Sequence, residues 1–343
     1  TIGMNSFDAL AGHESFMWKN NFLSATRIGF PFPGIVELAP ASTGEGSNSY
    51  EDNIRIESYF GRINYDYADR YYLSASIRTD GSSRFHPDTR WGTFWSIGGS
   101  WRISEENFMQ LDWINTLKLK ASYGLQGNNQ GIGYYPWQGL YDLGIDNNVY
   151  SGAIASSLEL AELIWEKNSN MNAGVEFAIF DRLRGTFEYF IRGSDNLLFE
   201  VPQPRSLGID SKWENIGGME NRGVEAILSA DIVNTENFRW LFDFNITHYK
   251  NEITELPQEE IIQGSKKLMV GKSLYDFYIR EYAGADAETG AALYWMDEIE
   301  KDGEGNPVLD EDGEPVKTGN RIVTTAHADA DRYYVGSSIP KVY

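Results

Sequence analysis

The stretch LKLKASYGL, residues 117–125, sets Leu117, Leu119, Ala121, Tyr123 and Leu125 in alternation with Lys118, Lys120, Ser122 and Gly124. Successive side chains of an extended strand leave opposite sides of the backbone, so a period of two makes one greasy face and one hydrated face. The pattern recurs. In YYLSASIR, Tyr71, Leu73, Ala75 and Ile77 oppose Tyr72, Ser74, Ser76 and Arg78. In WGTFWSIGGSWRI, Trp91, Thr93, Trp95, Ile97, Trp101 and Ile103 oppose Gly92, Ser96, Gly98, Ser100 and Arg102. MNAGVEFAI (171–179), LRGTFEYFIR (183–192) and FRWLFDFNI (238–246) repeat it, with Val175, Phe187 and Phe242 on the apolar side. These runs last about nine to thirteen residues, longer than the ~5–6 of a soluble strand and close to the ~9–11 that cross a bilayer.

Register decides which face meets which solvent. A slip of one residue in 117–125 would aim Lys118 and Lys120 at lipid, at ~2–4 kcal/mol each near the bilayer midplane. The lysines are therefore expected to face an aqueous lumen. Tight links at Asp69-Arg70, Asp181-Arg182 and 234–237 alternate with long polar connectors at 79–90, 126–167, 193–221 and 251–272. That alternation is the connectivity of an up-and-down antiparallel barrel. Tyr65, Tyr67, Tyr71 and Tyr72 crowd the Asp69-Arg70 link, where an aromatic girdle would lie.

A formal net charge of −21 argues against nucleic acid, whose binders need a basic stripe. The absence of cysteine excludes disulfides and Cys-ligated metal sites. No run approaches the ~18 apolar residues of a membrane helix, a test to which membrane strands are invisible. His13, His86, His248 and His327 are scattered without metal-ligand spacing, and no G-x-S-x-G elbow is present. GKS at 271–273 lacks the first glycine of a phosphate loop, which falls on Lys266, and GIG at 131–133 lacks a third glycine. No catalytic, metal or cofactor site is expected. The insertion at 300–320, with DGEGNPV echoed by DGEPV, is expected to form an exposed hairpin with Asp-Gly turns. The candidates for binding are loop aromatics, Tyr134, Tyr135, Trp137 and Trp213, which could stack on sugars, grip peptide side chains, or pack loop against loop.

From RYYLSASIRTDGSSRF through RWGTFWSIGGSWRISEENFM (70–109) the chain closely resembles the SusC/RagA-type TonB-linked outer-membrane transporters of Bacteroidetes. LKLKASYGLQGNNQGIGYYP (117–136), WEKNSNMNAGVEFAIFDRLRGTFEYF (165–190), NIGGMENRGVE (215–225), GKSLYDFY (271–278) and SSIPKVY (337–343) continue the resemblance in order. AGHE at 11–14 looks like the family's strand end before a long loop. The resemblance implies an all-β, antiparallel transmembrane barrel of about 22 strands. Residues 1–343 would supply roughly eight to ten of these strands, without the plug domain and the last strands. It further implies import of oligosaccharides or peptides with a SusD-like surface lipoprotein, powered by TonB through the plug. The reading of the residues alone leaves a secreted β-rich module that binds or degrades polysaccharide as the alternative.

Overall fold

A computed structural model describes residues 2–146 and 150–341. Nine strands form one antiparallel sheet in strict chain order. They are β1 (Asn5–Ile28), β2 (Thr43–Tyr67), β3 (Tyr71–Ser82), β4 (Trp91–Arg102), β5 (Ile114–Asn128), β6 (Glu166–Ile179), β7 (Leu183–Asp195), β8 (Gly218–Asn234) and β9 (Arg239–Glu255). Each neighbours its predecessor, the topology of an up-and-down barrel wall. Two compact units divide the chain, one of residues 1–218 and 225–244, the other of 219–224 and 245–343.

In the first unit the pairing register carries the alternation of single strands across seven of them. Ser6, Asp66, Tyr72, Ser100, Lys120, Gly174 and Glu188 stand side by side in one row. The next row on that face is Asp8, Asn64, Ser74, Gly98, Ser122, Asn172 and Phe190. Between them, on the opposite face, run Phe7, Tyr65, Leu73, Gly99, Ala121, Ala173 and Tyr189. The following apolar row is Ala9, Ile63, Ala75, Ile97, Tyr123, Met171 and Ile191. Leu119, Ile97 and Phe187 are 43%, 46% and 48% exposed, so the apolar face is uncovered by protein and the lysine face is the inner one. Along β5, β6 and β7 the apolar face carries no charge until Lys167 and Asp195, which stand opposite each other.

Aromatic rings bracket this band. At one edge Tyr67, Tyr71 and Trp101 lie in contact, with Tyr71 and Trp101 stacked at 6.3 Å and 11°. At the other, Tyr59 meets His13 at 4.9 Å and Trp91 at 6.3 Å. The eight residues from Tyr67 to Tyr59 span about 27 Å of strand, or about 20 Å normal to a bilayer at ordinary barrel tilt, close to the apolar band of an outer-membrane barrel.

Two of the three short links are tight hairpin turns with both central residues left-handed. Ala68 and Asp69 have φ of 56° and 55°, and Phe180 and Asp181 have 57° and 55°. The twist of such a turn matches its strands, but a side chain there costs ~1–2 kcal/mol. Tertiary contacts hold the strained pair: Phe180 stacks on Trp113 at 5.5 Å, and the Asp181 amide donates to Asn115 Oδ1 at 2.8 Å. The 103–113 link contains one 3-10 turn, Ile103–Glu105. There the Tyr71 hydroxyl and the Trp101 indole donate to Glu106, whose carboxyl they hold below its ordinary range.

One expectation is overturned. AGHE is not a strand end, because β1 continues to Ile28 and its partner β2 begins at Thr43. Residues 15–28 find their backbone partners in 43–57, so no loop is needed to satisfy them. β3 ends opposite Ile56, so beyond that level β1 and β2 project as a ribbon. Lys19 pairs with Glu51 at 2.6 Å and Phe22 stacks on Tyr50 at 4.8 Å along it.

In the second unit, Glu260–Gln263 pairs with Lys266–Met269, Asp276–Arg280 with Arg332–Ser337, and Tyr282–Ala285, Ala292–Ile299 and Lys317–Thr324 form a three-stranded sheet. The acidic insertion makes two successive turns, not a single hairpin. Asp302 accepts from the amides of Glu304 and Asn306, and Asp310 from those of Asp312 and Glu314. The Asn306 and Glu304 amides hold the Asp302 carboxyl below its ordinary value. Val342 and Tyr343, the end of the SSIPKVY segment, lie outside the described residues.

Candidate functional site

The inner face of the first unit carries the polar side chains. Ser6, Asp8, Asn64, Lys118, Lys120, Ser122, Asn172 and Glu188 line a groove of about 650 Å³. Its charges are largely compensated: Lys120 pairs with Glu188, Arg62 lies 3.9 Å from Asp8, and Asn64 donates to Asp8 at 3.1 Å. Lys118 sits over the Tyr72 ring at 4.9 Å. Higher on the same face Arg78 bridges Asp80 at 2.7 Å and Glu14 at 2.9 Å. Such a wall presents hydrogen-bonding groups to water or a polar guest. Among the described residues no three His, Cys, Asp or Glu side chains are grouped to hold a metal.

Beyond the membrane band the polarity of the inner face reverses. Phe16, Trp18, Ile54 and Ile56 continue the inner parity on the β1–β2 ribbon, and the connector after β5 folds onto them. Tyr134 stacks on Trp18 at 5.4 Å and 11°, and the Tyr135 hydroxyl accepts the Asn53 amide at 2.9 Å. Trp137 donates its indole N–H to the Ser83 carbonyl at 3.2 Å and meets the His86 ring edge-on at 5.2 Å. Trp213 stands on the separate hairpin Leu198–Pro202/Ser211–Asn215 and packs against a buried cluster of Phe85, Phe94, Ile132, Leu163 and Trp165. Thus three of the four candidate aromatics share one connector, and Trp213 reaches them only through the cluster.

That cluster explains three sequence motifs at once. Phe85 ends GSSRF, Phe94 ends RWGTF and Trp165 opens WEKNSN, and their rings meet at 5.3 and 5.5 Å. Gly92 and Gly127 flank Phe94 so closely that a Cβ on either would lie 2.5 or 2.1 Å from its ring. The hub fastens the outer connectors to the ends of β3, β4 and β6. GKS is likewise structural: Gly271 turns with φ 81°, and Ser273 Oγ donates to Asn251.

Between ribbon and connector lies a cavity of about 260 Å³ lined by Phe16, Trp18, Ile54, Ile56, Arg84, Asn129, Gln130 and Tyr134. Arg84 donates one Nη to the Asn129 carbonyl, but its Nε is buried with no hydrogen-bond partner. Burial pulls the guanidinium below its ordinary pKa. A stacked aromatic pair beside an unsatisfied cationic donor offers a ring face and a hydrogen bond to one guest. Trp18 and Arg84 went unnoticed in the sequence; the Trp18 parity, continuing that of the inner face, was the available signal.

A continuous antiparallel ladder of long strands, a lipid-facing apolar band and a polar inner wall define a segment of an outer-membrane β-barrel. The chain belongs to the family described as TonB dependent receptor-like, beta-barrel, whose model matches residues 6–303. That family consists of receptors, not enzymes. A TonB-dependent receptor of Formosa agariphila is 35% identical over 278 residues, covering 78% of this chain and 26% of the relative. The TonB-dependent receptor SusC of Bacteroides thetaiotaomicron is 33% identical over 273 residues, covering 75% of this chain and 26% of that protein. Among solved structures, the RagAB peptide importer in its closed-closed state matches with a TM-score of 0.84 at 28% identity, over 99% of this chain and 37% of that chain. The chain therefore spans about a quarter of the length of these curated relatives.

Proposed function

We propose that residues 1–343 form part of the barrel domain of a TonB-dependent importer that takes up oligosaccharides or peptides together with a SusD-like surface lipoprotein. The observation that carries this reading is the alternation of mainly polar and apolar rows across seven strands, which makes the sheet a wall between lipid and an aqueous passage. The similarity to SusC and to a peptide importer supports the transporter class and the two cargo classes. The projecting β1–β2 ribbon and the connector folded on it provide a platform for a capping lipoprotein. Cargo is read by the ring faces of Trp18 and Tyr134 with Arg84 and Gln130, and Tyr135, Trp137 and Trp213 hold the connector that presents them.

The test is growth of a strain carrying the complete receptor gene on single oligosaccharides or peptides as sole nutrient. Uptake that requires TonB, and that falls at least tenfold for Tyr134→Ala with normal membrane insertion, is the expected result. Uptake indifferent to loss of TonB overturns the reading.

A further inference from the structure

A second groove, of about 490 Å³, is lined on the apolar-face parity by Ser15, Met17, Arg55, Glu57, Gly81 and Trp91 and, from the end of the β3–β4 pairing, by Arg90. Ser15, Glu57, Gly81 and Trp91 stand in one cross-strand row, immediately beyond the ring-edged row of His13, Tyr59, Thr79 and Thr93. This is the lipid-facing side of the wall, just above the apolar band, at the depth of the phosphates of the outer leaflet. Cargo passes on the other face.

Two arginines border the groove, and neither guanidinium has a hydrogen-bonding or ion-pairing partner among the described residues. The Arg90 Nε is moreover buried. Elsewhere in the nine-stranded sheet Arg62, Arg78, Arg102, Arg184, Arg222 and Arg239 each pair with a carboxylate, Arg27 donates to the Ala39 carbonyl, and Arg192 lies over the Phe190 ring. In a chain of net charge −21, partners were available, yet these two have none. Their backbones are nevertheless fixed. Arg55 exchanges hydrogen bonds with Ser83 through both its N–H and its C=O, at 3.0 and 2.9 Å. The Arg90 carbonyl accepts the Ser82 amide at 3.2 Å and the Trp165 indole at 2.8 Å. The one carboxylate in the groove, Glu57, is engaged by His13. The Trp91 ring covers Gly81, where any Cβ would lie 2.9 Å from the indole, and with Met17 it supplies an apolar flank.

We propose that this groove binds the phosphorylated headgroup of an outer-leaflet saccharolipid, with Arg55 and Arg90 donating to phosphate oxygens and Trp91 and Met17 flanking the adjoining apolar body. Guanidinium forks match phosphate oxygens, and a buried N–H without an acceptor is the group such an oxygen satisfies. The binding fastens the base of the projecting ribbon to the membrane surface.

The experiment uses the complete receptor in nanodiscs of phosphatidylcholine doped with bis-phosphorylated lipid A, with lipid A stripped of its phosphates, or with neither, and reads retained lipid by native mass spectrometry. Phosphorylated lipid A should be retained in preference to the stripped form. Arg55→Gln/Arg90→Gln should lower that retention roughly thirty-fold, on the basis of roughly a factor of five per basic side chain at a membrane surface. Arg55→Lys/Arg90→Lys, which keeps the charges, should restore most of it, with all three proteins showing the same heat-dependent gel shift. Equal retention by the native and glutamine proteins, or of the two lipid A forms, overturns the proposal. Inorganic phosphate binding as tightly as lipid A would also overturn it, by assigning the site to a free anion. Nutrient uptake should be unchanged in the glutamine variant, so the lipid site and the transport reading fail separately.

Discussion

Arginine placed on one side of the wall should be far more costly than arginine placed on the other, one row away. Ile97 is 46% exposed on the apolar face, midway along β4 between Trp101 and Trp91, so its side chain meets hydrocarbon near the centre of the bilayer. Ile97→Arg exposes a cation to that medium at ~2–4 kcal/mol, a factor of roughly thirty to a thousand in the folding equilibrium. Ser122 stands opposite Gly98 on β4, adjacent to Ile97, but lines the aqueous groove. Ser122→Arg breaks no side-chain hydrogen bond among the described residues and leaves its charge in water beside Asn172, so it should cost less than ~1 kcal/mol. The assay is folding of the complete receptor into phosphatidylcholine vesicles, followed by urea titration and the heat-dependent gel shift. A Ser122→Arg penalty equal to or larger than that of Ile97→Arg would refute the assignment of faces, and with it the barrel.

Three further outcomes follow from the packing. Trp165→Ala removes the central ring of the connector hub and should cost ~3–5 kcal/mol, read as faster proteolysis within 129–165 with the membrane strands still protected. Ala68→Gly should stabilise by ~1 kcal/mol in urea titration by relieving a left-handed alanine, whereas Phe180→Gly should show no net gain because it also forfeits the stack on Trp113. The third concerns Asp297, whose carboxyl burial would raise but which Lys317 and Tyr333 together hold below its ordinary range. Its folded pKa is lower than its unfolded one, so its contribution is complete above about pH 4 and is lost as pH falls through the folded value. Lys317 is shifted up by Asp297, and the Tyr333 phenol up by burial and then by Asp297. Both contributions persist below about pH 10 and vanish at more alkaline pH. The protection factors of 292–299 and 317–324, exchange rates taken relative to the intrinsic rate at each pH, should therefore be flat through neutrality and fall at both extremes, and Asp297→Asn should remove the acid limb.

The candidate site was less legible than the strands. Tyr134, Tyr135, Trp137 and Trp213 announced themselves as rings in polar connectors, yet nothing local to them says that Tyr134 stacks on Trp18, more than a hundred residues away. The same holds for the hub, whose Phe85, Phe94 and Trp165 come from three motifs that look unrelated until their rings meet. AGHE misled because its likeness to a family strand end carries no record of how far the strand runs on, and at that level the solvent changes on both sides of the sheet. Below it the outer face meets lipid; above it Lys19 and Glu51 face water, while Phe16 and Trp18 turn inward beneath a connector.

By itself the sequence determined which side of each strand meets oil and which meets water, because the backbone alternates with a period of two and a buried charge enforces the phase. The tertiary structure alone decided register, the reach of the β1–β2 ribbon and the company kept by each connector ring. Those depend on hydrogen bonds and contacts between residues far apart in the chain, and a one-strand pattern carries no record of its partner.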